Sequence, residues 1–166
     1  MNPLFVADVM VGKLARWLRI LGLDVLYNNR FEDAEFLRIA REEDRLVLTR
    51  DVELHDLAQP GSILIESDDF KKQVQQVVRK CGIRQFALLS RCAECNTPLT
   101  AADKESIFSR IPPYVYLTHD RFAYCSRCDR IYWEGTHTDS MHERTEAWIR
   151  EVLDSPGDGH NPMEGL

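Results

Sequence analysis

No stretch of this 166-residue sequence approaches the ~20 consecutive apolar residues that a bilayer-spanning helix needs. The opening MNPLFVADVM has no basic segment leading into an apolar one, so a cytoplasmic protein with no membrane role is expected. Glycine is sparse and nowhere gathers into a phosphate-cradling loop, and no D-x-D follows the first strand, which ranks a phosphatase or nucleotide hydrolase last. Cysteine occurs five times, an odd number that argues against a disulfide framework. Internal repeats are absent. So is any large excess of basic residues, and with it the strongest compositional sign of nucleic-acid binding.

What is present is an apolar fraction of 44%, enough to build a real core in one ordinary domain plus a small module. The net charge of −6 is unevenly spread. Residues 1–85 carry 13 basic and 14 acidic side chains, 90–135 carry 6 of each, and 136–166 carry 2 against 7. The acidity therefore belongs to the C-terminus, and local patches elsewhere decide what binds.

Hydrophobic patterning gives four strand–helix units in succession. LFVA (4–7), DVLY (24–27), RLVLT (45–49) and SILIE (62–66) read as short buried strands. The helices following them are VGKLARWLRILG, DAEFLRIAREED, DVELHDLA and DFKKQVQQVVRKCG. In the first, Leu14, Leu18 and Leu21 share a face and Gly22 suits the stop, while Lys13, Arg16 and Arg19 form a basic stripe interrupted by Ile20. In the last, Val74, Val77, Val78 and Cys81 have core spacing. Short apolar strands each followed by a helix belong to a parallel sheet covered on both faces, an α/β/α arrangement. Its sites lie outside the carboxyl ends of the strands.

Acids occupy those ends. Asp8 closes the first strand, Asp33 opens the helix after the second, Asp51 follows the third, and Asp68 with Asp69 follows the fourth. Aspartate is also a favoured N-cap, which accounts for Asp33 or Asp68 taken singly. Asp8 is separated from the expected helix by three or four residues, so capping explains it poorly; Asp51 fits either role. Carboxylates meeting on one edge repel and raise one another's pKa unless a cation sits among them, and hard oxygen ligands suit magnesium or manganese. Such ions activate water and stabilise the leaving oxygen of a phosphodiester. Thr49 is placed to orient a carboxylate or water, and Lys13, Arg16 and Arg50 to steer phosphate, although a solvated helix face is the commoner fate of such a stripe.

After residue 88 the texture changes. Cys92-Ala-Glu-Cys95 and Cys125-Ser-Arg-Cys128 are two knuckles 29 residues apart, enough thiolates to close a tetrahedral, structural zinc site. His119 and His137 are the other candidates, but four cysteines leave no vacancy. Short aromatic-rich strands and an inserted hairpin are expected between the knuckles. Tyr132 and Trp133 read as packing around this module, with base stacking as a second reading. Ser140 and Glu143 have capping-box spacing ahead of an amphipathic helix. The expected division is 1–88 α/β, 89–138 zinc ribbon, 139–153 helix and 154–166 disordered tail.

FVADVMVGKLARWLRILGLDVLY, AREEDRLVLTRD and the cysteine module together resemble the Mut-seven C-terminal RNase family, a PIN-like nuclease domain followed by a zinc ribbon, over about residues 3–142. The resemblance implies a PIN-like three-layer α/β/α fold and metal-dependent cleavage of RNA. It places Asp8 as the strand-one aspartate, Asp33 as the acidic helix start, Thr49 and Asp51 as the T-x-D motif, and Asp68 or Asp69 as a fourth acid. A glutamate that larger PIN domains carry is missing, and Asp33 or Glu35 substitutes. RIYWEGTH echoes the family's ribbon ending, with His137 as a candidate phosphate contact. The expectation is thus a Mg/Mn-dependent ribonuclease with structural zinc; the alternative is a non-catalytic RNA- or ribosome-binding module built on the same core.

Overall fold

The computed structural model describes residues 1–30, 32–133, 147, 150 and 151. The tail expected over 154–166 lies outside the described residues, and so does all but three residues of the helix expected over 139–153.

Strands β1 (Leu4–Ala7), β2 (Val25–Tyr27), β3 (Arg45–Thr49) and β4 (Ser62–Leu64) form one sheet in the order β2-β1-β3-β4. All three pairings are parallel, with Val6 opposite both Leu26 and Val47, and Leu48 opposite Ile63. Helices α1 (Gly12–Ile20), α2 (Asp33–Glu42), α3 (Val52–Leu57) and α4 (Phe70–Lys80) follow the strands in turn.

Alternation along the strands decides which helix covers which face. Phe5, Ala7, Leu48 and Ile63 turn to one side, where Leu14 and Leu18 of α1 and Val74, Val77 and Val78 of α4 complete the larger core. Val6 and Val47 turn to the other, against Phe36 and Ala40 of α2 and Leu54 of α3. The result is an α/β fold with a four-stranded parallel sheet between two helical layers. Cys81, half-buried at the end of α4, packs against the larger core, and burial pushes its thiol up to about 11.

Gly22 ends α1 at φ +85°, and a Cβ there would lie 2.2 Å from the Ala87 carbonyl oxygen, so only glycine lets the chain pass so close. That approach brings residues 87–90 against the end of α1, where the Ala87 amide donates to Leu21 and the Leu89 amide to Ile20.

A second sheet contains β5 (Thr100–Ala102), β6 (Phe122–Cys125) and β7 (Arg130–Trp133), antiparallel in the order β5-β6-β7. The insertion between the knuckles is not a simple hairpin. It holds a 3-10 turn at Phe108–Arg110 and a short helix, α5 (Pro113–Thr118). Ile107, Ile111 and Val115, spaced by four, bury against Phe122 and form a small core of their own.

Candidate active site and metal centre

The carboxyl edge of the parallel sheet carries a cleft of about 120 Å³ lined by Asp8, Asn28, Asp33 and Asp51 together with Val9, Met10, Phe36 and Leu54. Asp8 is 7% exposed. One of its oxygens accepts from the Met10 amide and the other from the Thr49 hydroxyl. A 3-10 turn, Val9–Val11, intervenes before α1, and Asp8 is its N-cap. The acid that helix capping explained poorly therefore does cap, through a single turn too short to leave a sequence period.

Thr49, fully buried, also accepts the Asp51 amide at 2.9 Å. Asp51 caps α3 through Oδ1, which takes the Leu54 amide at 3.0 Å. Asp33 is different: Glu32 stands at the N-cap of α2 without a side-chain bond, and the exposed Asp33 carboxylate has no polar partner among the described residues. Asn28, just past the end of β2, was not singled out in the sequence; its Oδ1 accepts the Arg30 amide at 3.0 Å. Its position one residue beyond a strand on the carboxyl edge was the available signal.

Other expected site residues lie elsewhere. Asp68 pairs with Arg50, and Asp69 caps α4, accepting from the Lys71 and Lys72 amides. Neither acid lines the cleft. The basic stripe of α1 divides three ways. Lys13 sits over the Phe70 ring at 4.2 Å, Arg16 pairs with Glu94 at 3.0 Å, and Arg19 is buried, 3% exposed. Its Nε donates to the Val25 carbonyl at 2.8 Å, and another guanidinium nitrogen to Ala93 and Glu94. His137 lies outside the described residues.

The three cleft acids do not close on a single point. Among the described residues only Cys92, Cys95, Cys125 and Cys128 bring metal-ligating atoms together, all within 4.8 Å of one another. A magnesium ion that keeps most of its waters needs only one or two direct carboxylates, and the oxygen-only donor set of the cleft fits such an ion.

At the cysteine cluster, burial is outweighed at Cys95 by hydrogen bonds to Thr97 and neighbouring thiols, which bring its pKa down to about 6. Hydrogen bonding to Cys95, then burial, pushes Cys128 up to about 12. Four thiolates at this spacing repel, so their joint deprotonation requires a cation, and four sulfurs suit zinc in a closed, structural site. The Tyr132 hydroxyl lies 3.0 Å from Cys92 Sγ, and burial raises its pKa. His119 contacts Thr118 and Val115 instead of the cluster.

Fold and sites together define a class: an α/β protein with an acid-lined cleft on the carboxyl edge of a parallel sheet and a four-cysteine cluster able to hold a metal. The family model described as the Mut7-C RNAse domain matches residues 3–145, and the chain belongs to that family. The family's designation suggests a nuclease-type function with RNA as the substrate. No curated protein and no solved structure matches the chain significantly. No helix among the described residues is long and apolar enough to cross a membrane.

Proposed function

We propose that the protein is a divalent-metal-dependent ribonuclease that hydrolyses RNA phosphodiester bonds in the cleft of Asp8, Asp33 and Asp51. One observation carries this reading: Asp8 is buried with no cationic partner among the described residues, in a cleft it shares with two further carboxylates. Burying an unpaired carboxylate is costly, and a bound cation would remove that cost. Asp24 offers the contrast, since it has two arginines for company.

Asp8, Asp33 and Asp51 would hold magnesium or manganese, which when bound supplies Lewis acidity toward the phosphoryl group and a more acidic water. The rest is the chain's work. Thr49 and the Met10 amide fix the Asp8 carboxylate, and the Leu54 amide fixes one oxygen of Asp51. Lys13, Arg16 and Arg50 lie outside the cleft and would steer the RNA backbone from its flanks, with Asp68 restraining Arg50 and His137 as a further phosphate contact. The four cysteines hold structural zinc, and the ribbon assists RNA binding.

The open spacing of the carboxylates favours a second reading, a non-catalytic module that binds RNA or a ribonucleoprotein such as the ribosome. The test is zinc-loaded protein incubated with single-stranded and structured RNA, with and without manganese, beside Asp51→Asn. Manganese-dependent cleavage that Asp51→Asn abolishes supports the enzyme. Tight RNA binding without cleavage, unchanged in Asp51→Asn, supports the module.

A further inference from the structure

Among the described residues strand β2 is an edge strand paired only with β1, so alternate backbone groups face away from the sheet. The Asp24 carbonyl accepts from Phe5 of β1, which leaves both the amide and the carbonyl of Val25 pointing outward. Both are nevertheless satisfied. The Val25 amide donates to Asn96 Oδ1 at 3.1 Å, and the Val25 carbonyl accepts from Arg19 Nε at 2.8 Å.

Asn96 follows Cys95 directly and belongs to the first knuckle, where its own amide donates to the Cys92 carbonyl at 2.9 Å. Its φ of +69° is left-handed, a conformation that asparagine tolerates and glycine prefers. Its Nδ2 donates to Asp24 Oδ1 at 2.8 Å, and Arg91, on the other side of the knuckle, pairs with Asp24 Oδ2 at 2.9 Å. Arg19 also donates to the carbonyls of Ala93 and Glu94, between the two cysteines. The knuckle thus covers the start of β2 as a neighbouring strand would.

The end of β2 reaches the cleft. Tyr27 packs against Gly12, where a Cβ would come within 2.6 Å of the Tyr27 hydroxyl oxygen, and the next residue, Asn28, lines the cleft beside Asp8 and Asp33.

We propose that Asn96 is a positioning residue for the acidic cleft: it ties the four-cysteine site to the outer edge of β2 and so holds Asn28 and the β2–α2 side of the cleft in place. The cleft's role rests on the ribonuclease reading; the link between knuckle and strand does not.

Asn96→Gly is the discriminating variant, because glycine keeps the left-handed turn and removes both side-chain bonds. Zinc content, amide hydrogen exchange and manganese affinity are measured on the full chain. In Asn96→Gly, zinc content is expected to match wild type. The Val25 amide and the Leu26 amide, which the ladder directs to β1, are expected to exchange at least about tenfold faster while Val47 in β3 is unchanged, the mark of local opening. Manganese affinity is expected to fall several-fold, and removing zinc from the wild type is expected to expose the same β2 amides. Unchanged exchange at Val25, or a uniform rise that includes Val47, overturns the link. If β2 loosens while manganese affinity holds, the positioning role is overturned. Failure of the wild type to bind manganese refutes the metal-dependent cleft and with it Asn96's part in positioning it, whereas the exchange pattern still decides whether the knuckle holds the strand.

Discussion

The hydroxyl of Thr49 donates to the carboxylate of Asp8 while accepting the amide of Asp51, so one buried side chain sets the positions of two acids on neighbouring strand ends. Thr49→Val keeps the shape and removes both bonds. It is expected to cost about 1–3 kcal/mol, the range for leaving buried polar groups unpaired. Cleavage is expected to fall about 10- to 100-fold, as when a group orienting a metal-binding carboxylate is lost. Thr49→Ser should retain most of both. Urea denaturation and initial cleavage rates read the two effects.

Asp51→Asn separates structure from chemistry, because asparagine caps a helix about as well as aspartate. Thermal unfolding is expected within about 0.5 kcal/mol of wild type, whereas Asp51→Ala loses about 1 kcal/mol with the cap. Both variants should lose metal-dependent cleavage.

The cysteine cluster should bind a single zinc ion, measured by elemental analysis of purified protein. Cys92→Ser and Cys125→Ser are each expected to lose it. Among the described residues the second sheet has only the small core around Ile107, Ile111, Val115 and Phe122 to stand on. Its near-UV signal from Tyr124 and Trp133 should therefore collapse on chelation.

Burial alone would raise the carboxyl pKa of Asp24, but hydrogen bonds from Arg45 and Asn96 and the charges of Arg45 and Arg91 hold it below its ordinary value. A depressed carboxyl stabilises the fold above its unfolded pKa, roughly 3.9, and loses that contribution as pH falls through the lower folded value. Asp24→Asn is expected to lower stability at neutral pH by about 1–3 kcal/mol. It should also flatten the acid limb of the stability–pH curve below about pH 4. Urea midpoints across pH 2–7 test both.

Much of the fold is legible in the sequence because period and composition agree: short strands of three to five mostly apolar residues, each followed by a helix whose inward positions recur at 3.6. Elements too short for a period were not. The Val9–Val11 turn is three residues long, and α5 is six residues opened by Pro112 and Pro113, although Ile107, Ile111 and Val115 already carried the spacing of four. Arg19 shows a second limit. Charge at every third position reads as an outward face, yet its guanidinium finds three backbone carbonyls and is buried, an outcome that depends on a knuckle more than seventy residues away. The separate fates of Asp68 and Asp69 are equally closed to pattern, since one pairs with Arg50 and the other caps α4.

Paramagnetic broadening of backbone amide signals by manganese tests the acidic cleft most directly. With zinc already bound at the cysteines, sub-stoichiometric manganese is expected to broaden the amides of Val9, Asn28 and Leu54, and to leave Val115 in the second sheet's core sharp. Asp8→Asn should abolish the effect. Amides at the cleft that stay sharp in the wild type, or broaden equally in Asp8→Asn, would contradict a metal site built on these carboxylates.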